Sequence, residues 1–138
     1  MHCLSSKAGV ALGPSLFVMV LSAFLGVAHA QTAHLSLAAI DRGFMVYTAK
    51  CSACHKVNES HVGPAHAGVL GRRAGKAKAY EYSEALAKSK VIWSRANLER
   101  WLTDPEKLIP GQRMGYRLSL PQERSDVIAY LASLPLPK

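Results

Sequence analysis

The chain has 138 residues, 49% of them hydrophobic but only 7% aromatic, and carries a formal net charge of +8. That length suits one domain with a modest core. The basic balance either steers the protein towards acidic partners or serves solubility, and no nucleic-acid-binding motif accompanies it.

Lys7 is the only charged residue before Asp41 apart from histidines, and an apolar stretch runs from Ala8 to Ala28. It closes on Ala28-His29-Ala30, small residues flanking one other, as a signal peptidase site requires. Residues 1–30 therefore read as a signal peptide cut before Gln31, and residues 31–138 as the mature domain. Cleavage removes Cys3 and Lys7, which takes the charge from +8 to +7. The competing reading is a retained membrane anchor, because roughly 20 apolar residues can span a bilayer. Gly13-Pro14 interrupts that stretch. Both readings export the domain, and a periplasmic location is expected.

Ile40, Phe44, Tyr47 and Cys51 recur at helical spacing and predict a helix from about Leu37 to Ser52, with Phe44 and Tyr47 in the core. Gly43 lies inside it and costs about 1 kcal/mol against alanine, which a close helix crossing would explain. The helix ends in Cys51-Ser52-Ala53-Cys54-His55. Two thiols three residues apart, followed directly by histidine, form the pattern that attaches haem covalently. One helical turn puts both thiols on the same side, each within reach of one vinyl group. His55 then offers a neutral imidazole nitrogen to the iron. A disulfide or thioredoxin-like redox pair is an alternative, although the βαβ pattern that accompanies the latter is missing. Zinc is another, because His61 and His66 follow. Only six residues separate Cys54 from His61, against about 12 in the usual zinc spacing.

From Lys56 to Lys78 the chain reads as loop, punctuated by Gly63, Pro64, Gly68, Gly71 and Gly75. Ser83 is placed to cap a short helix through about Ala87. Ser94 is placed to cap another through about Thr103, with Leu98, Trp101 and Leu102 on one face. Asp104-Pro105 stops that helix, and residues 110–115 form a further loop. Ser119 opens the last helix by a capping-box pattern with Gln122. Its stripe is Val127, Tyr130, Leu131 and Leu134, and Pro135 and Pro137 close it. No strand pattern or internal repeat stands out, so the fold class is all-α.

If His55 holds an iron, the second axial position needs a residue from far along the chain. The mature methionines are Met45 and Met114. Met45 lies in the motif's own helix and reads as packing, and His61 and His66 belong to the near side. Met114 sits in a Pro/Gly loop that can present it inward, ordinary core packing being the other reading.

The chain resembles the class I c-type cytochromes, the small soluble family that includes the mitochondrial protein and its bacterial relatives. The likeness runs from about Ala38 to Leu134. It rests on Cys51 to His55, Val62-Gly63-Pro64, Gly71-Arg72, Tyr82-Ser83-Glu84-Ala85, Trp93 and Leu98 to Leu102. Ile109-Pro110-Gly111 with Met114, and Asp126 to Leu131, complete it. The resemblance implies a small fold in which the N- and C-terminal helices cross and loops wrap one haem c. In it Cys51 and Cys54 carry the thioether links, and His55 and Met114 the axial bonds. The Pro64 carbonyl accepts from the far nitrogen of His55. Arg72, Tyr82 and Trp93 look like the groups that hold the buried propionate. Gly43 and Tyr47 should cross the last helix near Val127 and Tyr130.

Some positions depart from the mitochondrial pattern. Trp101 stands where a tyrosine often hydrogen-bonds the methionine sulfur; an indole can only donate and is bulkier, so the resemblance does not carry that bond over. Gln112 replaces a threonine near the inner propionate, Leu86 replaces an asparagine, and Tyr116 falls where an aromatic covers the haem edge.

What the resemblance implies is an exported monohaem electron carrier, not an enzyme, monomeric, with Lys76, Lys78, Lys107, Arg113 and Arg117 aligning acidic redox partners. Two rival readings are a dedicated haem subunit of a periplasmic oxidoreductase, and a peroxidase or gas-binding protein with an open iron. A respiratory oxidase, a photosynthetic reaction centre and a periplasmic dehydrogenase are all compatible partners.

Overall fold

The computed structural model describes residues 37–136, so the signal segment, its cleavage before Gln31 and the anchor alternative lie outside the described residues. Helix α1 covers residues 37–50. It is followed by α2 (Glu84–Lys88), α3 (Arg95–Thr103), α4 (Pro105–Leu108) and α5 (Pro121–Ser133). No strand occurs among the described residues, only an isolated antiparallel bridge between Arg73 and Ile92. The all-α expectation holds, and no described helix is long and apolar enough to cross a membrane.

The crossing of α1 and α5 organises the domain. A Cβ on Gly43 would lie 2.0 Å from the Asp126 carbonyl oxygen and 2.8 Å from Tyr130 Cβ, so only glycine admits this approach. Tyr130 packs its ring 5.1 Å from Tyr47 and 5.6 Å from Phe44, centroid to centroid. Arg42 Nε and Nη2 donate to the two Asp126 carboxylate oxygens, both at 2.8 Å. Lys50 Nζ donates to Glu123 at 2.7 Å. A planar guanidinium matches a carboxylate bidentately, which sets the register as well as the proximity of the two helices.

Tyr47 is buried as expected, but Phe44 is 49% exposed and Met45 66% exposed. Both corrections have one cause: α1 lies against α5 along one stripe, and these two side chains stand at its margin or beyond it. Met45 is therefore not core packing. The α3 face is as expected, with Leu98, Trp101 and Leu102 all buried. On α5, Val127 and Leu131 are buried and Tyr130 and Leu134 partly so, joined by Ile128.

The caps explain where helices begin. Ser83 Oγ accepts from Leu86 N, and Ser94 Oγ from Asn97 N, satisfying amide donors that the first turn leaves free. Asp104 ends α3 but also starts α4: its carboxylate accepts from Lys107 N, and Pro105 occupies a first-turn position. Proline suits that position because its missing N–H would have no intrahelical partner. The same rule corrects the start of α5. Leu120 occupies the N-cap without a side-chain bond, and Pro121 opens the helix in place of a Ser119 capping box.

Arg124 closes the chain around this core. Its guanidinium donates to the carbonyls of Leu118 and Ser119 at 2.8 Å and to Glu99 at 2.6 Å, tying α5 to α3 and to the strap before it. Leu118 N also donates to Leu102 O at 2.8 Å.

Candidate functional site

The last turn of α1 delivers the motif. Cys51 N and Ser52 N both donate to Tyr47 O, and Cys54 N and His55 N both donate to Cys51 O, at 2.9–3.1 Å. The regular helix stops at residue 50, yet these turn bonds keep the two thiols on one side. Cys51 and Cys54 form no disulfide, which leaves both sulfurs available for attachment. Among the described residues no group of three or more His, Cys, Asp or Glu side chains gathers to hold a metal ion. His61 is exposed, and the zinc spacing finds no site there.

Cys51, Cys54 and His55 open onto a cavity of about 490 Å³, within the range of cofactor pockets of about 300–1,000 Å³. His55 Nδ1 lies 2.9 Å from the Pro64 carbonyl. A carbonyl oxygen only accepts, so Nδ1 carries the proton and Nε2 keeps a lone pair. Burial pushes the His55 pKa down, outweighing the Pro64 bond, and the ring is neutral. Gly63 lets the backbone reach this ring, because a Cβ there would lie 2.2 Å from His55 Cε1.

Met114 lines the same cavity. Its loop is shaped by Glu106, whose carboxylate accepts from Gly111 N at 2.9 Å and from the Gln112 amide at 3.3 Å. Gln112 Oε1 in turn accepts from Met114 N. Gln112 thus braces the loop and is not among the residues that line the cavity. Trp101 Nε1 donates to Met114 Sδ at 3.1 Å. The bond that the tyrosine-to-tryptophan change put in question is present, made by the indole.

Arg72, Tyr82 and Trp93 all line the cavity, as do Leu86 and Tyr116. Arg72 is half-buried and donates to the carbonyls of Ala65 at 2.8 Å and Ala67 at 2.9 Å. No carboxylate among the described residues pairs with it. Burial pushes the Arg72 pKa down and that of Tyr82 up. An unneutralised, half-buried cation beside an apolar cavity fits an amphipathic ring system carrying acid groups. The two thiols, the neutral imidazole, the thioether and this guanidinium together fit a haem attached at Cys51 and Cys54.

Sequence reasoning missed what two residues do here. Glu106 carried no motif. His66 was weighed as a zinc ligand and placed on the near side, whereas its ring stacks on His55 with centroids 4.1 Å apart and planes 16° apart. Of the five cationic side chains expected to align partners, Arg113 lines the cavity. Arg117 pairs with Asp104 at 3.0 Å, and Lys76, Lys78 and Lys107 are exposed.

Comparison with known proteins follows the same lines. The family model described as cytochrome c matches residues 40–135. A cytochrome c2 from Rhodopila globiformis is 41% identical over 87 residues, covering 61% of this chain and 82% of that protein. A cytochrome c from Sesamum indicum is 38% identical over 96 residues, covering 67% and 86%. Among solved structures, cytochrome cH from Methylobacterium extorquens superposes with a TM-score of 0.64 at 41% identity, over 67% of this chain and 96% of that one.

Proposed function

Because the chain belongs to the cytochrome c family and is a monohaem c-type electron carrier rather than an enzyme, we propose that it is an exported shuttle whose haem is axially closed by His55 and Met114. One observation carries this reading: the indole of Trp101 holds the Met114 sulfur at the wall of the cavity that His55 enters with its Nε2 lone pair free. Two neutral donors of this kind fill the axial positions of a c-type haem, and a thioether raises the reduction potential by favouring the ferrous form.

The haem supplies a one-electron couple, and the protein does the rest. Cys51 and Cys54 fix the ring covalently. Pro64 holds the tautomer and direction of His55. Arg72, with Tyr82 and Trp93, holds the buried propionate and balances its charge. Leu98, Leu102, Leu118, Val127 and Leu131 keep water from the cavity, which disfavours the extra charge of the ferric state. Tyr116, 42% exposed at the cavity wall, marks the edge where electrons enter and leave. Arg113 at that wall, with Lys76, Lys78, Lys107 and Arg117 elsewhere on the surface, steers an acidic partner into a short-lived encounter.

Potentiometric titration of the holoprotein and of Met114→Ala tests the ligation. Wild type should titrate as one reversible one-electron couple, with the potential falling well below it when the thioether is lost. An unchanged potential in Met114→Ala would remove Met114 from the iron.

A further inference from the structure

His66 lines the cavity and has no part in the proposed electron-carrier role. Its backbone is fixed on both sides: His66 N donates to Lys56 O at 3.0 Å, and Val69 N donates to His66 O at 3.0 Å. The ring stands between two aromatics. Its face lies on His55, centroids 4.1 Å apart and planes 16° apart, and Tyr47 meets it edge-on at 5.7 Å. Nδ1 is fully shielded and has no hydrogen-bond partner among the described residues.

A shielded, unpaired imidazole nitrogen costs free energy that an apolar side chain at this position would not. What the position offers is the flat face of the ring, stacked on His55 with planes 16° apart.

The Pro64 bond fixes one atom of the His55 ring. A single hydrogen bond sets direction but leaves the ring free to tilt about the bond axis. Parallel contact across the whole face removes that freedom. Tyr47 anchors both members, packing against His66 and donating its hydroxyl to His55 O at 3.3 Å.

We propose that His66 is a positioning residue that sets the plane of the His55 imidazole by stacking on it, a role resting on the ligation of His55 proposed above. The plane matters because the ring's π orbital stands perpendicular to it. Its azimuth over the haem decides which pair of pyrroles carries most of the unpaired spin in the ferric state. That distribution is read directly in the paramagnetic shifts of the four haem methyl groups.

The test is proton NMR of the ferric holoprotein as wild type, His66→Phe, His66→Leu and His66→Gln. Phenylalanine keeps a flat face and removes both nitrogens; leucine and glutamine remove the face. Expected is a wild-type order and spread of methyl shifts in His66→Phe and a redistributed order in the other two. The glutamine variant gives the reading if the leucine variant does not assemble with haem. Wild-type shifts in the non-aromatic variants, or equal displacement in all three, would overturn the proposal. The wild-type spectrum separates this from the premise. Absence of strongly shifted His55 ring protons would defeat the ligation itself, whereas their presence with unmoved variants would defeat only the positioning role.

Discussion

Trp101 donates its indole N–H to the Met114 sulfur at 3.1 Å, across 13 positions of sequence that include α4 and the Pro/Gly loop. Trp101 is itself buried and meets Trp93 edge-to-face at 5.2 Å, so the donor does not move to follow the sulfur. A donor on a thioether draws electron density from it and weakens its support of the ferric iron. Trp101→Phe should therefore lower the reduction potential. A neutral hydrogen bond is worth about 0.5–1.5 kcal/mol, and about 59 mV corresponds to tenfold in a one-electron equilibrium. A fall of a few tens of millivolts is expected by potentiometry, smaller than the fall in Met114→Ala. A rise would mean that the indole supports the ferric state.

Gly43→Ala separates two opposed effects. Helix propensity alone favours alanine by about 1 kcal/mol. The new Cβ would meet the Asp126 carbonyl oxygen at 2.0 Å, and that atom belongs to the backbone of α5 and has nowhere to go. Overpacking of this kind costs about 1–3 kcal/mol. Denaturant unfolding of the holoprotein should show net destabilisation with little change in slope. A stabilised variant would mean that α1 and α5 do not cross at this glycine.

The Arg42–Asp126 pair should make part of the stability pH-dependent. The hydrogen bonds from Arg42, aided by Gln122, hold the Asp126 carboxyl below its ordinary range against the opposing effect of burial. A depressed carboxylate contributes stability above its unfolded value, about 3.9, and loses that contribution as pH falls through the folded value. Asp126→Asn should lower the melting temperature at pH 7, and the gap to wild type should narrow below about pH 4. A gap that stays constant down to pH 3 would assign the loss to something other than the ionised pair.

Local signals made much of this molecule legible. The Cys-x-x-Cys-His string lies in one turn, so its chemistry was readable without the fold. Ser83 and Ser94 cap as their side chains require, and the α3 and α5 stripes bury as their spacing implies. Competition between local signals produced the errors. Ser119 offered a capping box, but Pro121 two residues on fits the first turn better and moved the cap to Leu120. Asp104-Pro105 reads equally as a stop and a start, and α4, at four residues, is too short to show a period. Phe44 sits on the predicted stripe, yet one helix partner is too narrow to cover it.

The site's finer contacts were hidden for a different reason. His66 reaches His55 through a loop with no periodicity, and stacking of two rings leaves no mark on spacing. Glu106 shapes the Met114 loop by accepting from Gly111 and Gln112, a service any carboxylate at that point of space would render. Chemistry fixed by covalent spacing is local, whereas positioning depends on how loops close.

The most direct test of an axially closed electron carrier is the absorption spectrum of the reduced holoprotein before and after carbon monoxide. With His55 and Met114 both bound, the spectrum should not change on the timescale of mixing, and Met114→Ala should respond at once. A rapid and complete shift in wild type would show an open iron, contradicting Met114 ligation and the shuttle role built on it.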